Sequence, residues 1–241
     1  MGRKKFLIVS AGGKGVRMGG SRPKQFLEFE GVPVLRLTIS KFLEAVPDIR
    51  VVTVLPESWI PWWKDYCLEN NFNCPQVMVS GGITRFHSVK NALAKVPDGA
   101  VVAVHDGVRP LISKELIISM FEKMEKGSCH GLVPCRPTTD TLKPLHTEAG
   151  PDGEKVLALT EGVVLDRSSI YSVQTPQIFL SEELKAAYGQ AYDTSFTDDA
   201  SVASAYGIPL SFCEGERFNI KLTTPEDLEL ARAIRIVSKT I

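Results

Sequence analysis

"FLIVSAGGKGVRMGGSRPKQF" occupies residues 6–26, and the fold turns on how it is read. FLIVS is a short apolar run bounded by glycine, the pattern of a buried strand. It breaks into five glycines interleaved with Lys14, Arg17, Arg22 and Lys24. Glycine lets a backbone approach a ligand closely, and cations around such a turn suit an anion, so the stretch predicts a strand feeding a phosphate-binding loop. Two common phosphate motifs do not fit. The dinucleotide fingerprint G-x-G-x-x-G matches Gly13 and Gly15 but meets Met18 where its third glycine belongs. The P-loop matches Gly15 and Gly20, but Ser21-Arg22 follows in place of Lys-Ser/Thr.

Outward from this loop, apolar runs alternate with helical patterns. PVLRLTISKFLEAV is an amphipathic helix, RVVTVL a strand, ESWIPWWKDYCLENN mostly helix, and QVMVS a strand ending at Gly81-Gly82. RFHSVKNALAKV is a helix, AVVAVHD a buried strand, SKELIISMFEKMEKG a helix and CHGLVPC a strand. This alternation predicts an α/β fold, doubly wound around a mostly parallel sheet. Ligands in such folds sit at the carboxyl ends of strands, where the glycine loop, SGGITR and HDGVRP all fall.

The alternation fails over residues 137–173, where GPDGE offers turn chemistry between two short strand-like runs. The expected structure is a protruding β-hairpin arm. An isolated hairpin is marginal in water, so the arm is expected to pack on an identical subunit, making a homodimer. Beyond it, SEELKAAYGQA and DDASVASAYG are helices, LSFCEG and FNIKL strands, and TTPEDLELARAIRIVSK a last helix with Thr224 as N-cap and Pro225 at its first position. Residues 1–241 are expected to form a single domain, with the arm an excursion from it.

Composition excludes several partner classes. The 28 basic residues balance 28 acidic ones, so nucleic acid and charged membrane surfaces are not expected partners. Five scattered cysteines without a C-x-x-C pair suit reduced, buried thiols of a cytoplasmic protein. The apolar run after MGRKK is too short for a signal peptide core, and no stretch could span a bilayer.

Taken whole, AGGKGVRMGGSRPKQF closely resembles the nucleotide signature of the sugar-type nucleotidyltransferases, A-G-x-G-x-R-[ML] followed by P-K, and KQF is similar to the cytidylyltransferase branch. GGITRFHSV, VHDGVRP, DTLK, LDRSS, QTPQIF, TDDAS and NIKLTTPEDL follow in the order found in the 2-C-methyl-D-erythritol 4-phosphate cytidylyltransferase family, which serves the non-mevalonate route to isoprenoids. The resemblance covers essentially the full chain and implies a Rossmann-like nucleotidyltransferase fold. Departures are Ser10 for a common alanine, Gly107-Val108 for Ala-Ala, and Phe218 where a polar residue is usual before NIK.

The reaction so implied is attack of a phosphate monoester on the α-phosphorus of CTP, with pyrophosphate leaving. A monoester whose second pKa is about 6 is already largely dianionic at neutral pH, so no general base is needed. Catalysis then rests on positioning and positive charge. Arg17 and Lys24 are the expected catalytic cations. Ala11, Gly12, Gly13 and Gly15 are expected to bind the triphosphate, and Gly81, Gly82 and Ser88 to read the cytosine, with Arg85 in support. His105 and Asp106 are adjacent on a strand and point to opposite faces, so they do not act as a pair; His105 is read as structural. Asp106 is expected to face the site, holding Mg²⁺ or another divalent cation, or the acceptor's hydroxyls. Arg109, three residues on, is expected to touch the acceptor. The resemblance assigns Thr141, Arg167, Thr197 and Lys221 to the acceptor pocket, with Thr141 and Arg167 on the arm serving the neighbouring subunit and Arg167 and Lys221 clamping the phosphate. Thr175 is expected at the pocket rim. Two other readings stay open: ribitol 5-phosphate as the acceptor, and a nucleotide-binding regulator without catalysis.

Overall fold

A computed structural model describes residues 2–13 and 22–238. The strands are β1 (Lys5–Ser10), β2 (Glu28–Phe29), β3 (Val32–Pro33), β4 (Arg50–Leu55), β5 (Gln76–Ser80), β6 (Val101–Asp106), β7 (Gly131–Pro137), β8 (Leu145–Ala149), β9 (Lys155–Leu159), β10 (Tyr171–Val173), β11 (Gln177–Leu180) and β12 (Leu210–Glu214). The helices are α1 (Val34–Ala45), α2 (Ile60–Glu69), α3 (Arg85–Leu93), α4 (Lys114–Glu125), α5 (Ser181–Ala187), α6 (Asp199–Tyr206) and α7 (Pro225–Ser238).

Among the described residues the main sheet has eight strands. β1 lies at its centre, parallel to β4 on one side and β6 on the other, and β5 extends the β4 side in parallel. The chain thus winds outward from β1 through β4 and β5, then returns to β1's other flank with β6. That reversal makes the β1/β6 boundary the switch point, the place where a doubly wound sheet leaves a crevice. The register puts Ser10 beside Asp106 there.

Strands buried on both faces read as continuous apolar runs, and β6 is buried at every position. Its alternate residues divide between two cores. Val101 and Ala103 join Leu7 and Val9 of β1 under α1 and α4, against Ile39, Phe42, Met120 and Phe121. Val102 and Val104 join Ile8, Val52 and Val54 under α3, α5 and α6, against Phe86, Val89, Leu184 and Val202.

The far side of the sheet departs from the expected pattern. β11 is not separable from the arm by periodicity, yet it pairs antiparallel with both β6 and β7. β12 returns parallel to β7, and β10 pairs antiparallel with its end. FNIKL is not a strand. Its backbone makes single bonds, Leu222 N–H to the Val108 carbonyl (2.9 Å) and Ile220 N–H to Phe218 (2.8 Å), because the buried Asn219 side chain ties it to the 174–175 segment instead of to a neighbouring strand. The last helix does begin at Pro225, with Asp227 Oδ2 accepting the Thr224 N–H at 2.9 Å. The arm contains the hairpin β8–β9, five antiparallel pairs closed by a turn with Gly153 at φ +77°. The five cysteines are free, and burial pushes the Cys67 and Cys74 thiols up to about 11, leaving them protonated.

Candidate active site

A cavity of about 560 Å³ opens at the carboxyl ends of β1 and β6. One wall is the start of the glycine loop: Ser10, Ala11, Gly12 and Gly13. Ala11 N–H donates to the Val54 carbonyl (3.0 Å), so the chain leaves β1 still attached to the sheet. Gly12 then passes so close to Gly81 that a Cβ on it would stand 3.3 Å from the Gly81 Cα and the Val54 side chain, while a Cβ on Gly13 would meet nothing. Gly12 is therefore needed for packing between two loops, and Gly13 presents open backbone to the cavity. Gly15 and Arg17 lie outside the described residues.

Lys24 lines the same wall from a short 3-10 turn, Lys24–Phe26. The next residue, Gln25, is buried and donates through Nε2 to the carbonyls of Ala11 (2.7 Å) and Gly13 (3.0 Å). This side chain holds the lysine's turn against the glycine loop.

The opposite wall is the entry to α3. Thr84 caps the helix, accepting the His87 N–H, and one turn in, Ser88 is buried with both its hydrogen-bonding roles engaged. Its Oγ accepts the Gly82 N–H and donates to the Thr84 carbonyl, each at 2.9 Å. Gly82 and Ser88 line the cavity. Gly81 sits beneath them, bonded to the Leu55 carbonyl at 2.8 Å.

Arg85 reaches the cavity from the first turn of α3, held from behind in two-pronged fashion by Asp199, at 2.9 Å and 2.5 Å. Asp199 has no exposed surface and also accepts the Tyr188 hydroxyl at 2.6 Å. Burial works against the guanidinium's charge, but the Asp199 carboxylate more than reverses that and raises its pKa above the ordinary value.

Asp106 forms the floor. Lys221 Nζ stands 3.0 Å from its Oδ2, and Arg109 Nε donates to the same atom at 3.2 Å. Burial alone would raise the carboxyl's pKa; the charges of Lys221, Arg85 and Arg109 outweigh it and hold the group well below the usual carboxylate range. Lys221 lines the cavity and is partly open to solvent. Arg109 is not on the wall. Its Nη1 donates to the Asn219 carbonyl (2.7 Å), so it braces Asp106 and the segment carrying Lys221 from below.

His105 is fully buried on the other face, as its place in the strand requires. Its Nδ1 is 3.0 Å from Thr175 Oγ1, its Nε2 is 3.3 Å from the Arg109 carbonyl, and its ring packs on Phe42. Burial pushes its pKa down to about 4. Thr175 is a correction to the sequence reading. It is not at a rim but buried behind Asp106, whose N–H donates to its Oγ1 at 3.1 Å.

Thr141, Arg167 and Thr197 are exposed and none lines the cavity. Arg167 Nη2 donates to the Thr139 carbonyl within the arm at 2.5 Å. Sequence reasoning misses Gln25, Asp199, Asn219 and Gln174. Gln174 accepts the Glu216 N–H at 3.0 Å and donates to its carbonyl at 2.8 Å, joining the arm's base to the Lys221 segment. All four lie inside motifs the sequence offers (KQF, TDDAS, NIK and QTPQ), but nothing in those motifs shows which members point inward.

Chemically, the cavity offers open glycine backbone, three cations from separate elements and one buried carboxylate, an arrangement suited to a crowded polyphosphate. Among the described residues no cluster of three histidine, cysteine or acidic side chains could hold a metal ion, and no helix is long and apolar enough to cross a membrane.

Comparison with known proteins agrees with this geometry. A model of the family described as 2-C-methyl-D-erythritol 4-phosphate cytidylyltransferase (IspD) matches residues 6–236. The protein of that name from Porphyromonas gingivalis is 44% identical over 236 residues, covering 97% of this chain and 99% of its own. That from Bacteroides thetaiotaomicron is 42% identical over 231 residues, covering 96% and 99%. The crystal structure of the Thermus thermophilus protein superposes with a TM-score of 0.69 at 30% identity, covering 96% of this chain and 98% of that one. The chain belongs to the 2-C-methyl-D-erythritol 4-phosphate cytidylyltransferase family.

Proposed function

We propose that this cavity transfers CMP from CTP to 2-C-methyl-D-erythritol 4-phosphate, the family's reaction, by positioning and charge alone. The acceptor's phosphate oxygen forms a bond to the α-phosphorus, and the bond to the bridging oxygen of the leaving pyrophosphate breaks. The products are 4-diphosphocytidyl-2-C-methyl-D-erythritol and pyrophosphate, and no proton need be removed from the nucleophile. The observation that carries this reading is the convergence of Gly12, Gly13, Lys24, Arg85, Asp106 and Lys221 on one cavity at the switch point of the sheet.

Backbone N–H groups of the glycine loop would cradle the triphosphate, with Lys24 and Arg17 on the charge that develops at the α-phosphate. Ser88 supports cytosine over uracil. Its hydroxyl proton is committed to Thr84 and one lone pair to the Gly82 N–H, so what it has left to offer a base is its second lone pair, an acceptor that the cytosine amino group can use. Asp106 and Lys221 would receive the acceptor's hydroxyls and phosphate, and Arg109 would act through Asp106. A divalent cation, magnesium or another, suits a site with one carboxylate and no further cluster, because Mg²⁺ commonly takes one or two protein carboxylates and completes its shell with phosphates and water. Asp106 is the residue that would hold it, and it would supply neutralising charge on the phosphates. The arm would deliver Thr141 and Arg167 to the neighbouring site of a homodimer, with Thr197 completing the acceptor pocket, in a cytoplasmic enzyme acting on small molecules only.

The test is a pyrophosphate-release screen of the four ribonucleoside triphosphates against 2-C-methyl-D-erythritol 4-phosphate and ribitol 5-phosphate. Release is expected only with CTP and the former, and should stop with chelator while the circular dichroism spectrum stays unchanged. Faster turnover of ribitol 5-phosphate would reassign the acceptor, and no release with any pair would leave a binding protein.

A further inference from the structure

The chain's three tryptophans, Trp59, Trp62 and Trp63, fall within five residues, in the 3-10 turn Glu57–Trp59 and the first turn of α2. Trp63 is a core residue, fully buried, its Nε1 donating to Gln76 Oε1 at 3.1 Å. Trp59 and Trp62 are only half-buried, and they lie closer than Trp63 to a shared partner, Phe26, whose ring is 6.1 Å from that of Trp63. Phe26, the last residue of the turn that carries Lys24, stacks on Trp59 with ring centroids 5.0 Å apart and meets Trp62 edge-on at 4.9 Å. Arg22, just ahead of the same turn, places its guanidinium 5.3 Å from the Trp62 ring centre. Tyr66 stacks behind Trp62 at 5.5 Å and Trp63 at 5.5 Å, joining the three rings to the core.

A single 3-10 turn does not hold its own place. Its internal bonds are Phe26 N–H to Pro23 (2.9 Å) and Leu27 N–H to Lys24 (3.2 Å), and short 3-10 pieces are weakly bonded. Its C-terminal end is tied by the Val34 N–H to the Leu27 carbonyl (3.0 Å), and side chains on either side locate the rest. Gln25 fixes it to the glycine loop, and Phe26, with Arg22, fixes it to the tryptophans. Lys24 stands between these two anchors on the cavity wall. We infer that Trp59 and Trp62 are positioning residues for the transfer reaction: they form an aromatic platform that sets the turn's height, and so where the Lys24 ammonium meets the α-phosphate. This rests on the reading of Lys24 given above.

The test is a double-mutant cycle on kcat. Trp59→Ala and Trp62→Ala should each lower kcat about 10–100-fold, the cost of misplacing a catalytic group by roughly an ångström, with a smaller change in KM for CTP. Phenylalanine at either position should restore most of the rate. In a Lys24→Ala background the same tryptophan substitutions should cost almost nothing further, because residues that act through one group are not additive. Should they slow Lys24→Ala by the same factor as wild type, or leave wild-type kcat unchanged, the platform has no link to Lys24 and the inference fails. Near wild-type turnover of Lys24→Ala would instead overturn the assignment of the lysine. Should an alanine variant fail to fold, the phenylalanine and leucine variants complete the cycle. Intrinsic fluorescence gives an independent reading, since every tryptophan sits in this cluster: CTP should shift the emission to saturation, and an unmoved spectrum at saturating CTP counts against the coupling.

Discussion

Ser10 and Asp106 end two neighbouring strands in the middle of the sheet, whereas every residue of β8 and of the turn carrying Arg167 faces solvent. The cavity's floor is fixed by its own chain. Asp106 is held by Lys221, Arg109 and the Thr175 hydroxyl, and Arg85 by a carboxylate with no exposed surface. The arm has no such backing: Leu145, Leu157 and Leu159 are 49%, 72% and 57% exposed. A two-stranded hairpin carrying exposed leucines lacks the apolar burial that stabilises strands in water. The difference separates a cavity lined by residues of one chain from an arm whose apolar side chains lie open. On the function proposed above, the arm's residues would acquire their role only against a second copy.

The sharpest way to break that division is complementation. Lys24→Ala and Arg167→Ala homodimers should each lose about 10²–10³-fold in kcat, the scale of one lost transition-state donor. Unfolded and refolded together in equal amounts, half of the dimers are mixed. If Arg167 acts across the interface, each mixed dimer has one doubly damaged site and one intact site, so activity should return to about a quarter of wild type. A mixture that stays dead, with mixed dimers confirmed by native mass spectrometry, would place Arg167 in its own subunit's site and end the contrast between the two regions.

The claim that the cavity rests on its own core can be tested at Asp199. Asp199→Asn keeps the shape but removes the charge opposing Arg85. Breaking a buried pair costs about 3–5 kcal/mol, and because Arg85 also reaches the cavity and its water, the low end, about 3 kcal/mol, is expected. Urea denaturation would report it as a fall in midpoint at unchanged m-value. A loss below about 0.5 kcal/mol, typical of surface substitutions, would mean the pair is not part of the foundation.

The same contrast decides what can be read from sequence. Apolar runs make β1, β4 and β6 legible, and with them the switch point, because strands buried on both faces leave a continuous signal. The hairpin is legible from its turn residues. Asp199 is not, since an aspartate at the start of a helix reads equally well as a solvated first-turn charge; only the approach of α3 from 114 residues away makes it a partner. Arg109 reads as a substrate contact because a short loop after a strand end does not tell which cation faces outward. FNIKL has the alternation of a strand, and Asn219 breaks it by bonding sideways to the Thr175 carbonyl at 2.8 Å. Three tryptophans in one helical stretch give no sign that they meet Phe26, which lies far ahead of them in the chain.

A pH-dependent effect of similar size sharpens the contrast at the face of β6 turned away from the cavity. His105 is neutral in the folded protein, its pKa lowered to about 4 by burial, with Asp106 partly opposing that change and Arg109 adding to it. In the unfolded chain its pKa is about 6.5. Between those values the unfolded state binds the extra proton, so stability is fully present above pH 6.5 and falls as the pH is lowered toward 4. A pKa that differs by one between the folded and unfolded chain corresponds to about 1.4 kcal/mol, which makes this single group responsible for about 3 kcal/mol across the window. Asp106 adds nothing above about pH 5, where its carboxyl is ionised in both states; below that the unfolded carboxyl begins to take up protons while the folded one stays ionised, a loss shared by wild type and variant. His105→Gln, which keeps a polar group near Thr175 but cannot take up the proton, should be less stable than wild type at pH 7.5 through lost packing on Phe42. It should also lose less stability on acidification. Urea midpoints at pH 7.5, 6, 5 and 4.2 would give the two curves, and their separation should narrow steadily below pH 6.5. Parallel curves would mean that His105 is reached by water in the folded state, and that the far face of β6 is no better sealed than the arm.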